Sequence, residues 1–158
     1  MKIVVDTNIF IKACNTYDYE LSCDAFVMGL YNKDEHHIVL DYEDNIRKEY
    51  WDNLCDNERF IHLYKAFENE GRVDFVSCKL VNKHRNELKS LKFHEEEDLV
   101  FVGVAMNADK TIITEDSDYG KGFAGEANTS DKQAVLEYMK YQMGLNVYDS
   151  IEAKKRYC

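Results

Sequence analysis

Met1-Lys2-Ile3-Val4-Val5-Asp6-Thr7-Asn8-Ile9-Phe10 is the stretch that decides how this chain is read. Ile3, Val4 and Val5 form a short β-branched run, which reads as a buried strand. Asp6, Thr7 and Asn8 follow at once, so polar groups stand at the strand's carboxyl end. In open parallel sheets that end is where ligands bind. The question for the rest of the chain is what joins Asp6 there.

Working outward, residues 18–32 carry Leu21, Ala25, Met28 and Leu30 near helical spacing. The polar break Asp34-Glu35-His36-His37 reads as a surface turn, followed by a second short strand, Ile38-Val39-Leu40, ending at Asp41. Asp44 is placed to cap a helix with Ile46, Tyr50 and Leu54 on one stripe. A further helix is expected over 58–69 with Gly71 as its stop, then a third strand over 73–78. Residues 79–92 are polar and locally basic, with Lys79, Lys83, Arg85, Lys89 and Lys92. A helix over 95–107, a strand over 111–114 and a loop over 115–129 come next. Ser130 and Asp131 are read as the cap of a last helix to about Met143, with Gly144 as its stop. Asn146-Val147-Tyr148 is a fifth short strand, and the tail from Ser150 is charged. Strands alternating with helices predict an α/β fold, a three-layer α/β/α sandwich on a five-stranded, mainly parallel sheet. At 158 residues it reads as a single domain, 1–158, with no repeat or linker.

Composition narrows the function. No apolar run is long enough to span a membrane, and no secretory signal is evident, so a cytoplasmic protein is expected. The five cysteines, Cys14, Cys23, Cys55, Cys78 and Cys158, show no CxxC spacing, and reduced thiols are the simpler reading. The histidines show no paired-ligand spacing. The net charge of −10 is a poor footprint for a nucleic-acid binder unless the acids gather where cations bind.

Gathered acids are what the spacing suggests. In the helix over 95–107, Phe101, Val102, Ala105 and Met106 lie three, four, seven and eight residues after Asp98, which puts Asp98 on the inward face. Glu95, Glu96 and Glu97 can face solvent at the helix N-terminus, where acids are favoured by about 0.3–1 kcal/mol. The strand over 111–114 runs into Glu115-Asp116-Ser117-Asp118 and so delivers Asp116 to the same sheet edge as Asp6 if both strands are parallel. Glu49 borders the buried stripe of its helix, whereas Glu43, Asp44 and Asp52 read as surface or capping acids. Two like charges about 4 Å apart repel by about 4 kcal/mol at an effective dielectric of about 20. Such a cluster either takes up protons or binds cations. An all-oxygen ligand set suits magnesium or manganese.

Val4-Val5-Asp6-Thr7-Asn8-Ile9-Phe10, Glu49-Tyr50, Asp98 with the run to Ala105, and Ile113-Thr114-Glu115-Asp116-Ser117-Asp118 together resemble the PIN-domain family, in the family's order and over nearly the whole chain. The resemblance implies an Mg2+- or Mn2+-dependent endoribonuclease that cuts single-stranded RNA to a 5′-phosphate and a 3′-hydroxyl. It implies a catalytic quartet of Asp6, Glu49, Asp98 and Asp116, with Asp6, Asp98, Asp116 and the accessory Asp118 as metal ligands. Asn8 and Thr114 match polar positions beside the metal pocket. Lys83 and Arg85, in the basic stretch, are candidates to steer the RNA, against a solvated helix face as the plain alternative. Many members are toxins, so the partners to expect are RNA, an antitoxin protein and a second copy of the chain, with no membrane. The strong acidity, and a span between Glu49 and Asp98 that does not align with the family pattern, are the departures.

Two other classes compete. A non-catalytic PIN-like module that binds protein or RNA would explain the acidity but has no use for the repulsion among four acids. A haloacid-dehalogenase-type phosphatase also begins with a strand and Asp, but needs a second Asp where this chain has Asn8.

Overall fold

The computed structural model describes residues 1–122 and 124–158. Five strands, β1 (Lys2–Val5), β2 (His37–Asp41), β3 (Val73–Val76), β4 (Thr111–Ile113) and β5 (Asn146–Tyr148), form one sheet in the order β3-β2-β1-β4-β5. Every neighbouring pair is parallel. Parallel neighbours need crossover connections, which is why helices lie on both sides of the sheet. Those helices are α1 (Thr7–Cys14), α2 (Leu21–Tyr31), α3 (Asn45–Leu54), α4 (Glu58–Asn69), α5 (Asn82–Ser90), α6 (Glu96–Met106), α7 (Ala124–Ala127), α8 (Ser130–Glu137) and α9 (Ser150–Tyr157). The strands are near-continuous apolar runs because both faces are covered, and Ile3, Val4, Val5, Ile38, Val39, Leu40, Ile112 and Ile113 are all fully buried. The expected α/β/α architecture is thus the observed one.

The strand order fixes the place of any site. The chain leaves β1 for β2 and β3 on one side, then crosses to β4 and β5 on the other. The switch point therefore lies beyond the carboxyl ends of β1 and β4, where the order reverses. Val5 is in register with Ile113, so the residues after them, Asp6 and Thr114, emerge side by side.

Helix α6 carries Asp98 and is held close by Gly103. A Cβ there would stand 1.9 Å from the Cys78 carbonyl oxygen, so only glycine lets the helix approach that backbone. Helix α3 is tied to the central strand by the buried Tyr50, whose hydroxyl donates to the Val5 carbonyl.

Several local expectations are corrected. The residues after Asp6 form α1, an eight-residue helix that the apolar run Ile9-Phe10-Ile11 does not announce. Asp44 occupies the N-cap position of α3, but in a left-handed conformation (φ 69°) with its side chain on Arg47 at 2.6 Å. The cap comes instead from buried Asp41, which accepts from the Asn45 and Ile46 amides at 2.9 and 2.8 Å. Thr129, not Ser130 or Asp131, caps α8, which continues through a π turn, Tyr138–Gln142. The charged tail is helix α9, opened by a capping box of Asp149 and Glu152. The expected loop over 115–129 contains a 3₁₀ turn, Ser117–Tyr119, and α7; its residue Phe123 lies outside the described residues. His36 and His37 are not a surface turn: His36 is buried against Tyr157, and His37 begins β2 with its Nδ1 2.7 Å from Asp74. All five cysteines are free thiols. No helix is long and apolar enough to cross a membrane, among the described residues.

Candidate metal centre

Asp6 stands at the N-cap of α1, where β1 ends, and is only 7% exposed. Its carboxylate is held from two sides. The Thr114 hydroxyl donates to Oδ2 at 2.6 Å, and the Asn8 side-chain amide donates to the same oxygen at 2.9 Å. Oδ1 receives only a long bond, 3.4 Å, from the Asn8 backbone amide. Asn8 also accepts from the Glu115 amide at 3.1 Å, and Thr114 accepts from the Asp116 amide at 2.9 Å. Asn8 and Thr114 thus stitch the end of β1 to the turn after β4.

The turn after β4 divides its acids. Glu115 points to α9 and accepts from the Ser150 backbone amide at 2.9 Å and from the Ser150 hydroxyl. It stabilises the positive end of that helix and takes no part in the cluster. Asp116 caps the 3₁₀ turn by accepting from the Asp118 amide at 2.8 Å. Asp98, from the first turn of α6, reaches the same place. Each of Asp98, Asp116 and Asp118 offers a carboxylate oxygen, and the three oxygens lie within 4.8 Å of one another. The Asp98 backbone is fixed by the buried Tyr119, whose hydroxyl donates to its carbonyl at 3.2 Å while the ring packs edge-on against Phe93.

Glu49 comes from α3 and is half-buried. It accepts from the Thr7 hydroxyl, a contact the sequence reading misses because it does not place Thr7 on a helix. A cleft of about 300 Å³ between α3 and α6 opens beside it, lined by Glu49, Asp52, Glu96 and Glu97 among others.

The electrostatics follow from this crowding. Burial pushes the Asp6 carboxyl up to about 7, against the lowering effect of the Thr114 hydrogen bond, and the charges of Asp116 and Glu49 add to the rise. Burial pushes Asp98 up to about 8, reinforced by Asp116, Asp6, Asp118 and Glu49. Glu49 is raised too, first by burial, with Glu97 and Asp52 adding and Thr7 opposing. No lysine or arginine pairs with Asp6, Glu49, Asp98 or Asp116 among the described residues. Asp118 alone has a cation, Lys132 at 3.4 Å, and Lys132 is shared with the Ser117 hydroxyl.

The donor set is oxygen only, as a hard divalent cation requires. Asp98, Asp116 and Asp118 bring oxygens close enough to share such an ion, whereas Asp6, an expected ligand, lies near enough to feel the charge of Asp116 but outside that group of three. The basic stretch gives less than the sequence suggests. Lys83 and Arg85 lie on α5, and Lys83 is exposed. Arg85 and Lys89 both pair with Glu96, and Lys92 pairs with Asp131 at 2.6 Å. Much of that positive charge is cancelled within the molecule.

Compared with known proteins, the chain matches no family model, no curated protein and no solved structure.

Proposed function

We propose that this chain is a PIN-like, Mg2+- or Mn2+-dependent endoribonuclease acting on single-stranded RNA. The observation that carries the reading is the convergence of acids from four separate segments at the sheet's switch point, with none of the four principal acids paired to a cation among the described residues. Buried carboxylates ordinarily come paired. Here burial and the neighbouring acids instead push the carboxyls of Asp6 and Asp98 up to about 7 and about 8, as expected where a cation would relieve the crowding.

Asp98, Asp116 and Asp118 would hold the ion, with Asp6 presenting Oδ1 beside them. A bound divalent cation supplies charge neutralisation at a phosphodiester and lowers the pKa of water. Thr114 and Asn8 orient Asp6 by occupying Oδ2. Thr7 occupies Oε1 of Glu49, which leaves Oε2 to take the proton of the attacking water. Hydrolysis breaks the bond from phosphorus to the 3′ oxygen and yields a 5′-phosphate and a 3′-hydroxyl. A role as the toxin of a toxin–antitoxin pair, in the cytoplasm, belongs to the same reading.

The test is cleavage of a labelled single-stranded RNA by the purified chain with Mn2+ and with chelator. The expected result is Mn2+-dependent cleavage that Asp98→Asn and Asp116→Asn abolish while the far-ultraviolet circular dichroism is unchanged. A folded wild-type chain that binds Mn2+ nowhere and cuts nothing would overturn the reading in favour of a non-catalytic module.

A further inference from the structure

Asn8 also lines a separate pocket of about 350 Å³, walled by the segment joining α1 to α2. Asn8, Lys12, Tyr17, Asp18, Tyr19 and Glu20 contribute to it. The segment is tied down at both ends. The Asn15 amide donates to the Ile11 carbonyl at 2.8 Å, and the Glu20 amide donates to the Lys12 carbonyl at 2.8 Å. The Tyr19 hydroxyl is anchored on Asp24 at 2.6 Å. Between these anchors the Tyr17 amide is turned in toward Asn15 Oδ1 at 3.3 Å, and its ring is left 96% exposed. The anchors thus present the ring to solvent at the edge of the pocket, and it is the most exposed of the large apolar side chains among the described residues.

We propose that this pocket is a nucleobase subsite of the same active site, in which one base of a single-stranded RNA stacks on Tyr17 and turns its N–H edge toward Asp18 and Glu20. The inference rests on the ribonuclease reading and adds to it what the site recognises. Asn8 makes the link, because it lines this pocket and also hydrogen-bonds Asp6. Exposed aromatic rings are stacking platforms for unpaired bases. The two carboxylates can only accept hydrogen bonds, so they repel phosphate and favour a base edge rich in donors. Guanine, with adjacent N1–H and N2–H2 groups, offers the most, and uracil the least. Lys12 lines the same wall.

This also reconciles RNA binding with a net charge of −10. If stacking rather than phosphate contact carries affinity, binding depends weakly on salt. One or two phosphate contacts give a log–log slope of only about −0.7 to −1.4 for a single strand.

The experiment compares wild type with Tyr17→Ala and Tyr17→Trp on two Mn2+-dependent substrates. One is a short single-stranded RNA with a single guanine in a uracil background. The other is methyl p-nitrophenyl phosphate, a phosphodiester without a base. Tyr17→Ala is expected to raise KM for the RNA by about tenfold, the loss of one stacked base, with Tyr17→Trp restoring it. Hydrolysis of the small diester is expected to be unchanged in both variants. RNA cleavage unaffected by Tyr17→Ala would overturn the subsite and leave the ribonuclease reading standing. Equal KM for guanine-containing and all-uracil RNA would overturn the role of Asp18 and Glu20. A wild-type chain that cuts neither substrate would overturn the ribonuclease reading, and the subsite with it.

Discussion

The two ends of the sheet treat buried charge in opposite ways. At the amino-terminal end Arg72, only 4% exposed, is satisfied on every side. Its guanidinium donates to the carbonyls of Leu30, Tyr31 and Lys33 at 2.8 Å and of His36 at 2.9 Å, pairs with Glu70 at 3.0 Å, and lies over the Phe67 ring at 4.6 Å. Two of those carbonyls are the last of α2, which need donors and carry the negative end of the helix dipole. At the carboxyl-terminal end the buried Asp6 and the half-buried Asp98 lie among other acids, and neither pairs with a cation among the described residues. One end shows what this fold does with a buried charge kept for stability. The other departs from that rule, and sites that depart from it are candidates for function.

The contrast can be broken at either end. Among the substitutions Arg72→Met should cost the most, about 3–5 kcal/mol by denaturant unfolding, because it removes a buried donor from four carbonyls, of which only those of Leu30 and Lys33 keep a backbone partner. A near-neutral outcome would remove the contrast. Gly103→Ala should cost about 1–3 kcal/mol, since the added methyl group must push α6 off the Cys78 carbonyl. If activity falls further than stability, α6 is confirmed as the element that sets Asp98.

Asp98→Asn should act in the opposite direction. In chelator above about pH 8, where Asp98 carries its charge, it relieves repulsion and should raise the melting temperature by about 2–4 °C, equivalent to about 1 kcal/mol in a domain of this size. A fall would recast Asp98 as a structural partner. The pH dependence tests the same acids without a substitution. Asp6 and Asp98 bind protons more tightly folded than unfolded, with values raised to about 7 and about 8. Their stabilising contribution is full below the unfolded value of about 4 and is lost as pH rises through the folded values. The melting temperature of metal-free protein should therefore decline between about pH 5 and 8, less steeply in Asp98→Asn. A flat profile would mean that neither burial nor the neighbouring acids raise these two carboxyls.

Much of this was legible in the residues. The five strands and the main helices follow from apolar period and length, and the inward Asp98 follows from its spacing to Phe101 and Val102. The Glu49-Tyr50 pair is weak as a motif, and the structure gives the reason. Adjacent residues on one helix serve separate contacts, Tyr50 to the Val5 carbonyl and Glu49 to Thr7, and neither leaves a pattern along the chain. Helix α1 was hidden because an apolar triplet is too short to reveal its period. Helix α9 was hidden by its charge, although the Asp149-x-x-Glu152 box was a readable start signal. The internal pairing of Arg85 and Lys89 with Glu96 could not be read, since a basic run looks the same whether or not another helix neutralises it.

The central claim, that these acids form a divalent-cation site, is tested most directly by calorimetric titration of Mn2+ into the metal-free chain near pH 7, in two buffers of different ionisation enthalpy. The account predicts binding with release of protons into the buffer, and loss of both in Asp98→Asn. Binding without proton release, or no binding at all, would contradict it.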